Sequence, residues 1–190
     1  MENLINIDIV FEKAIYIEKK ITGREFDGCT FKNCNFSNTV FSECVFIDCG
    51  FIDCNLSMAK LPTTSLKTVL FKECKLLGIQ FNECDDFLFN VSFNGCVLDY
   101  SSFNNKKLPK TNFTNCSLKG VNFSATDLTA AVFENSNLEG TIFDGTQLKD
   151  ADFTTAYNFK IDPEFNPMKK AKFSVSGIPG LLEKYDIKIV

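Results

Sequence analysis

A large apolar residue returns at every fifth position from Phe26 to Phe81: Phe26, Phe31, Phe36, Phe41, Phe46, Phe51, Leu56, Leu61, Leu66, Phe71, Leu76 and Phe81. A fixed period of this kind makes each repeat a small unit that buries its apolar side only by stacking on its neighbours. Five fits neither the helical period near 3.6 nor the strand period of 2. The backbone therefore has to turn once per repeat, so that every fifth side chain points at a common axis.

A second inward position lies two residues before each centre. Cys29, Cys34, Thr39, Cys44, Cys49, Cys54, Ala59, Thr64, Val69, Cys74 and Ile79 are all small or apolar, and Cys84, Cys96 and Cys116 occupy the same slot. The intervening residues are Asn, Asp, Lys, Glu, Ser and Gly, which suit turns and an outer surface. Successive blocks read Cys-Thr-Phe-Lys-Asn at 29–33 and Cys-Asn-Phe-Ser-Asn at 34–38. Over roughly residues 11–157 this pattern resembles the pentapeptide-repeat family. The resemblance implies an all-β fold, a right-handed quadrilateral β-helix with four repeats per coil, about seven coils here.

All nine cysteines fall in the inward slot, and the chain has no histidine and no Cys-x-x-Cys. Zinc ligation is thereby disfavoured. Stacked thiols about 4.8 Å apart are also too far apart for good disulfide geometry. They read as reduced, buried small hydrophobes. The formal net charge of −4 speaks against nonspecific binding to nucleic acid or to an anionic membrane. No secretory signal and no run of ~20 apolar residues is visible, so a cytoplasmic setting is expected.

Residues 1–10, with Ile5, Ile7 and Ile9 alternating, read as a strand or cap, with the first coil beginning near Phe11. The phase breaks once, at 82–88. Two extra residues shift the centres to Leu88 and Phe93, and Phe and Leu then alternate as far as Phe153. Four sides per coil would put Phe on two opposite walls and Leu on the other two. Asp86 and Lys106 violate the inward slot twenty residues apart, on adjacent coils of one wall. Two arrangements satisfy this: a compensating Asp86–Lys106 ion pair, since a lone buried charge is costly, or an outward bulge of both 82–90 and 104–110. The bulge would form an irregular patch with Phe87, Lys107, Pro109 and Lys110, of the kind that carries recognition on rigid scaffolds.

Residues 120–159 hold Asp127, Glu134, Glu139, Asp144, Asp150 and Asp152 against Lys149 alone. By slot these scatter over all four walls, with Asp99, Lys119 and Glu139 stacking as a ladder on one. After Phe159 the period ends. Residues 158–190 read as a C-terminal module: an extended segment near 169–174, a helix over about 177–185 capped by Ser176, and a last strand over 186–190. Leu181, Leu182, Tyr185, Ile187 and Ile189 would seal the last coil or join two rods into a homodimer.

No catalytic constellation is present: no histidine for acid–base work, no phosphate-binding glycine loop and no nucleophile elbow. No cofactor is implied. Within the family, the chain is similar to the quinolone-resistance members, from which it departs in lacking long loop insertions. That resemblance implies an acidic rod that mimics duplex DNA and binds DNA gyrase or topoisomerase IV. The alternative is a scaffold for an unrelated protein partner, using the irregular wall or the C-terminal module. Neither reading has the chain bind nucleic acid directly.

Overall fold

The computed structural model describes residues 5–188. Ile189, assigned by sequence to the C-terminal seal, lies outside them. The chain winds as a right-handed parallel β-solenoid of about eight turns. That is one more than the centres from Phe11 to Phe153 require, because strand pairing continues at both ends. Each coil contributes a short segment to each of four walls. Wall one stacks Ile5–Ile7, Glu25–Asp27, Val45–Ile47 and Ser65–Lys67 in parallel register. Wall two stacks Val10–Glu12, Thr30–Lys32, Gly50–Ile52, Val69–Lys72, Val91–Asn94 and Phe113–Thr114. Wall three is a line of single bridges from Ile15 through Asn35, Asn55, Lys75, Val97, Ser117 and Asn137 to Tyr157. Wall four begins with Lys20–Thr22 on Val40–Ser42 and continues from Gln80 through Ser102 and Asn122 to Ile142.

The ladder reaches back to Ile5, so 5–7 is the first wall of the first coil. Asn6 takes the inward position there, in register with Phe26. The three-residue strands are held short by the turns between walls. Asn33, Asn38, Asp48 and Asp53 all have φ between 49° and 56°, the left-handed region that Asn and Asp tolerate better than other side chains.

Inside, the rings make continuous columns. On wall two, Phe11, Phe31, Phe51, Phe71, Phe93, Phe113, Phe133, Phe153 and Phe173 stack face to face with centroids 4.6–5.4 Å apart. Phe81, Phe103, Phe123 and Phe143 form a second column on the opposite wall. The two columns meet edge to face, as between Phe113 and Phe123 at 76°. Offset stacking along a column and T-shaped contact across it are the two arrangements ring quadrupoles favour. Leu98, Leu118 and Leu138 on wall three, and Leu108, Leu128 and Leu148 on wall one, fill the remaining space.

The small inward slot has a chemical role beyond size. Thr64, Thr126, Thr141 and Thr146 donate their hydroxyls to the backbone carbonyl of the residue 23 positions earlier, at 2.7–2.9 Å. Ser136 does the same to Phe113 at 2.9 Å, and the Cys54 and Cys74 thiols to Phe31 and Phe51 at 3.3 Å. These carbonyls belong to the central residues of the coil before. Thr, Ser and Cys interchange in the slot because each is small and carries one rotatable donor. All nine cysteines are free and buried. Burial pushes the Cys49, Cys84 and Cys116 thiols up to about 12, so they stay protonated and unreactive at neutral pH.

Three outcomes follow. Phe113→Ala should cost about 3–5 kcal/mol in urea melts, against about 0.5 kcal/mol or less for the exposed Asn112→Ala. Thr126→Val, which keeps the shape and removes the donor, should cost about 1–2 kcal/mol while Thr126→Ser costs less. A thiol reagent at pH 7 should leave the native thiols unmodified and label all nine once the protein is denatured.

Candidate functional site

The irregular part of wall one lies at the phase break. The register step changes from twenty residues (Gly50 with Leu70) to twenty-two (Val69 with Val91). The two extra residues are taken up between the single-turn 3-10 helix Phe81–Glu83 and Val91. Leu88 is not a core centre. It stands 64% exposed with φ +58°, and Phe89 packs against the core instead. The turn is fixed by Asp85, whose carboxylate accepts from the Phe87 backbone N–H at 3.1 Å and from the Ser65 hydroxyl at 3.0 Å. Those two donors, the Phe87 N–H first, hold its pKa below the usual carboxylate range.

Here wall one loses a rung. Ser65–Lys67 pairs with Val45–Ile47 above, and the next wall-one bridge is Lys107 with Asp127. Lys106 fills the space. Its side chain is 2% exposed, and its ammonium donates to the Cys84 carbonyl at 2.5 Å and to Asp86 Oδ1 at 2.6 Å. It also lies 4.9 Å from the centroid of the Phe89 ring. The expected ion pair forms, but Asp86 does not point inward: its side chain is 84% exposed, reaching over the lysine from the solvent side. Nor does 104–110 bulge. Leu108 is buried in a regular coil, and only 82–90 departs from the wall. Phe87 is left 67% exposed beside the Lys67 ammonium, 5.3 Å from the ring centroid. Lys107, Pro109 and Lys110 are exposed one coil further on.

The acidic residues of the last coils divide into two groups. Glu139 pairs with Lys119 at 2.9 Å and Asp152 with Lys172 at 3.3 Å. Asp99 completes the ladder through hydrogen bonds rather than an ion pair, accepting from the Ser117 hydroxyl and the Lys119 N–H. Asp127 is half-buried and caps its own turn through the Thr129 N–H. Among the described residues Glu134, Asp144 and Asp150 make no ion pair. They stand on different walls, so the carboxylates do not line up as one stripe.

The C-terminal module folds back onto the end of the rod. Lys172–Phe173 extends wall two below Asp152–Phe153. The α-helix proper is only Pro179–Leu182, between 3-10 turns Val175–Gly177 and Glu183–Tyr185. Ser176 does not cap the α-helix, which has no side-chain cap; Ser174 caps the first 3-10 turn, accepting from the Gly177 N–H. The expected last strand is absent over 186–188, where Asp186 turns left-handed at φ +49°. Gly180 passes so close to Phe159 that a Cβ would come within 2.3 Å of its carbonyl oxygen, which lets Leu181 reach the core. Leu182 lines a shallow cleft of about 660 Å³ with Glu139, Phe159, Pro179 and Ile187. Tyr185 and Ile187 remain more than half exposed.

A charged latch closes the module. Lys184 contacts Asp162 at 2.7 Å and Glu164 at 2.8 Å, and the Tyr185 hydroxyl donates to Glu164. Lys184 lowers the pKa of both carboxylates. A depressed folded pKa gives stability that is complete above the unfolded value and lost as pH falls through the folded one. Hydrogen-exchange protection at 178–185 should therefore fall below about pH 4, while the Phe-lined coils stay protected. At the break, Lys106→Met should cost about 1–3 kcal/mol, because the Cys84 carbonyl loses its charged donor.

Among the described residues no three His, Cys, Asp or Glu side chains come together to hold a metal, and no helix is long and apolar enough to cross a membrane. A family model for the pentapeptide repeat region matches residues 24–103 and 86–158. No curated protein sequence matches the chain. Among solved structures, a trypsin-treated variant of QnrB1, described as a plasmid-mediated fluoroquinolone resistance protein, superposes with a TM-score of 0.67 at 19% identity, covering 95% of this chain and 100% of that one. A second trypsin-treated QnrB1 variant gives 0.51 at 21% identity, over 95% and 99% of the two chains. Likeness at that identity concerns the fold. With the family match spanning most of the coils and every fifth residue stacked inward, this chain belongs to the pentapeptide-repeat family.

Proposed function

We propose that the chain is a non-enzymatic binding protein that presents an acidic, DNA-like rod to a type II topoisomerase, DNA gyrase foremost and topoisomerase IV as its relative. The observation that carries this reading is the set of carboxylates without lysine partners on the rigid last coils, Glu134 and Asp144 exposed and Asp127 and Asp150 half-buried. Fixed carboxylates distributed around inflexible coils present negative charge to a basic partner at no ordering cost. The fold shared with QnrB1, a fluoroquinolone resistance protein, supports the choice of partner class. The regular walls and the absence of histidine support a role without catalysis. Nine buried cysteines with no disulfide fit a reducing, cytoplasmic setting.

A second reading rests on the break in wall one. Phe87 and Leu88 form an exposed apolar tip on wall one, near Lys67, Asp86, Lys107 and Lys110. Such a tip suits a protein partner with an apolar pocket. Exposed Tyr185 and Ile187 give the C-terminal module a similar but smaller contact, the basis for a homodimer through that end.

A gyrase supercoiling assay with and without a fluoroquinolone separates the readings. Under the first, the protein inhibits supercoiling or relieves the drug, and neutralising Asp127, Glu134, Asp144 and Asp150 to Asn or Gln weakens the effect about tenfold. Loss of the effect on Phe87→Ser with Leu88→Ser, but not on charge neutralisation, assigns the contact to the wall-one tip. No effect in any form sinks the topoisomerase reading.

A further inference from the structure

The first coil differs from the others in what it turns inward. From Phe26 to Phe153 the buried centres are Phe or Leu, but here the four centres are Asn6, Phe11, Tyr16 and Ile21. The inward slots differ too. Lys19 and Arg24 take two consecutive ones, where the next coil has Thr39 and Cys44. Among the described residues nothing lies over this coil, so its interior opens at the end of the rod.

The opening leads into a hollow of about 400 Å³. The four centres of the first coil ring its mouth, and the four Phe centres of the second coil form its floor. Phe31 meets Phe26 and Phe36 edge to face there, at 72° and 79°. Asn6 is the reason the hollow is not filled. It stands in register with Phe26, where one coil further on Phe26 stacks on Phe46. Its short amide turns aside instead and donates to the Glu25 carbonyl at 3.2 Å. A second hollow of about 620 Å³ opens beside the mouth. It shares Tyr16, Ile21 and Arg24 with the first and adds Lys19, Lys20 and Thr22. Among the described residues neither Lys19 nor Lys20 makes an ion pair.

An apolar chamber with a few polar groups converging on one side is the usual form of a small-molecule site. Cations at its opening set the sign of the ligand's head. We infer that the open end binds an amphiphilic carboxylate, its apolar body seated on the four rings and its head at the mouth against Lys19 and Lys20. A hollow of 400 Å³ stands near the small end of ligand sites and takes a body of about ten carbon atoms. The rings remove that body from water. The head stays in the second hollow, which is open to solvent, so its charge is not stripped of water as in a buried ion pair. Hydrogen-bonded ladders hold the lining in place, so little ordering is needed on binding. The inference does not rest on the topoisomerase reading.

Isothermal titration calorimetry of the intact chain with decanoate should give one site with a Kd on the order of 10 μM. The uncharged 1-decanol should bind about tenfold more weakly. Lys19→Glu with Lys20→Glu should weaken decanoate about tenfold and leave the melting temperature unchanged. Asn6→Phe, which continues the Phe26 column into the hollow, should abolish binding while raising the melting temperature. Phe87→Ser with Leu88→Ser, at the exposed tip of wall one, should leave binding intact. Absence of decanoate binding overturns the inference. So does binding that persists in Asn6→Phe or is lost through the Phe87 and Leu88 changes. Equal affinity for decanoate and 1-decanol, or indifference to the two lysine changes, overturns it as well.

Discussion

The structure depends on one requirement: each coil has to satisfy the backbone of the coil before it. Four or fewer residues per wall leave little ladder to do this, and each central carbonyl lies beside a turn. Where the slot two residues before a centre holds Thr, Ser or Cys, it supplies the missing donor, as at Thr64, Ser136 and Cys74. An unpaired buried carbonyl costs about 1–3 kcal/mol, and the solenoid repeats the position many times. The interior is therefore two kinds of column side by side, one of rings that fill volume and one of small donors that keep backbone paired.

The phase break tests that requirement. Two additional residues open wall one and leave the Cys84 carbonyl facing inward without a hydroxyl or thiol from the next coil. A lysine takes over, long enough to cross the gap, with its charge answered by Asp86 from the solvent side and by the Phe89 ring. Across the same break walls two and three keep their pairing. Cys96 and Ser101 reach the Phe71 and Leu76 carbonyls 25 positions back instead of 23. The defect is confined to one wall because nearest-neighbour stacking passes nothing further along.

Period and slot made most of the fold legible. The alternation of Phe and Leu foretold opposite aromatic walls, and the cysteine spacing foretold stacked free thiols. What could not be read follows from places where phase and direction part company. Leu88 has the correct count from Phe93, yet the inserted residues twist it into the left-handed region and Phe89 takes its place. Asp86 and Lys106 occupy equivalent slots, but only the lysine has the reach to enter the core. Ser176 looked like a cap by type, but a 3-10 turn capped by Ser174 comes first and the α-helix starts only at Pro179, past its reach. At the start, the alternation of Ile5 and Ile7 spoke for a strand but not for its direction. That direction is fixed by Asn6 falling in register with Phe26. The carboxylates of the last coils were visible as a composition, while their pairing with Lys119 and Lys172 needed the coil geometry.

The interrupted wall has a mechanical consequence. On wall one the Asp85 and Asn90 N–H groups still reach the Thr64 and Leu66 carbonyls of the coil above, but among the described residues no backbone bond joins 84–90 to 104–110 below. A beam slit on one side bends most readily about the slit, here with the Lys106 side chain bridging the cut. The rod is thus two stiff segments joined by a one-sided crease, and a surface spanning both can adjust its curvature without unwinding a single coil.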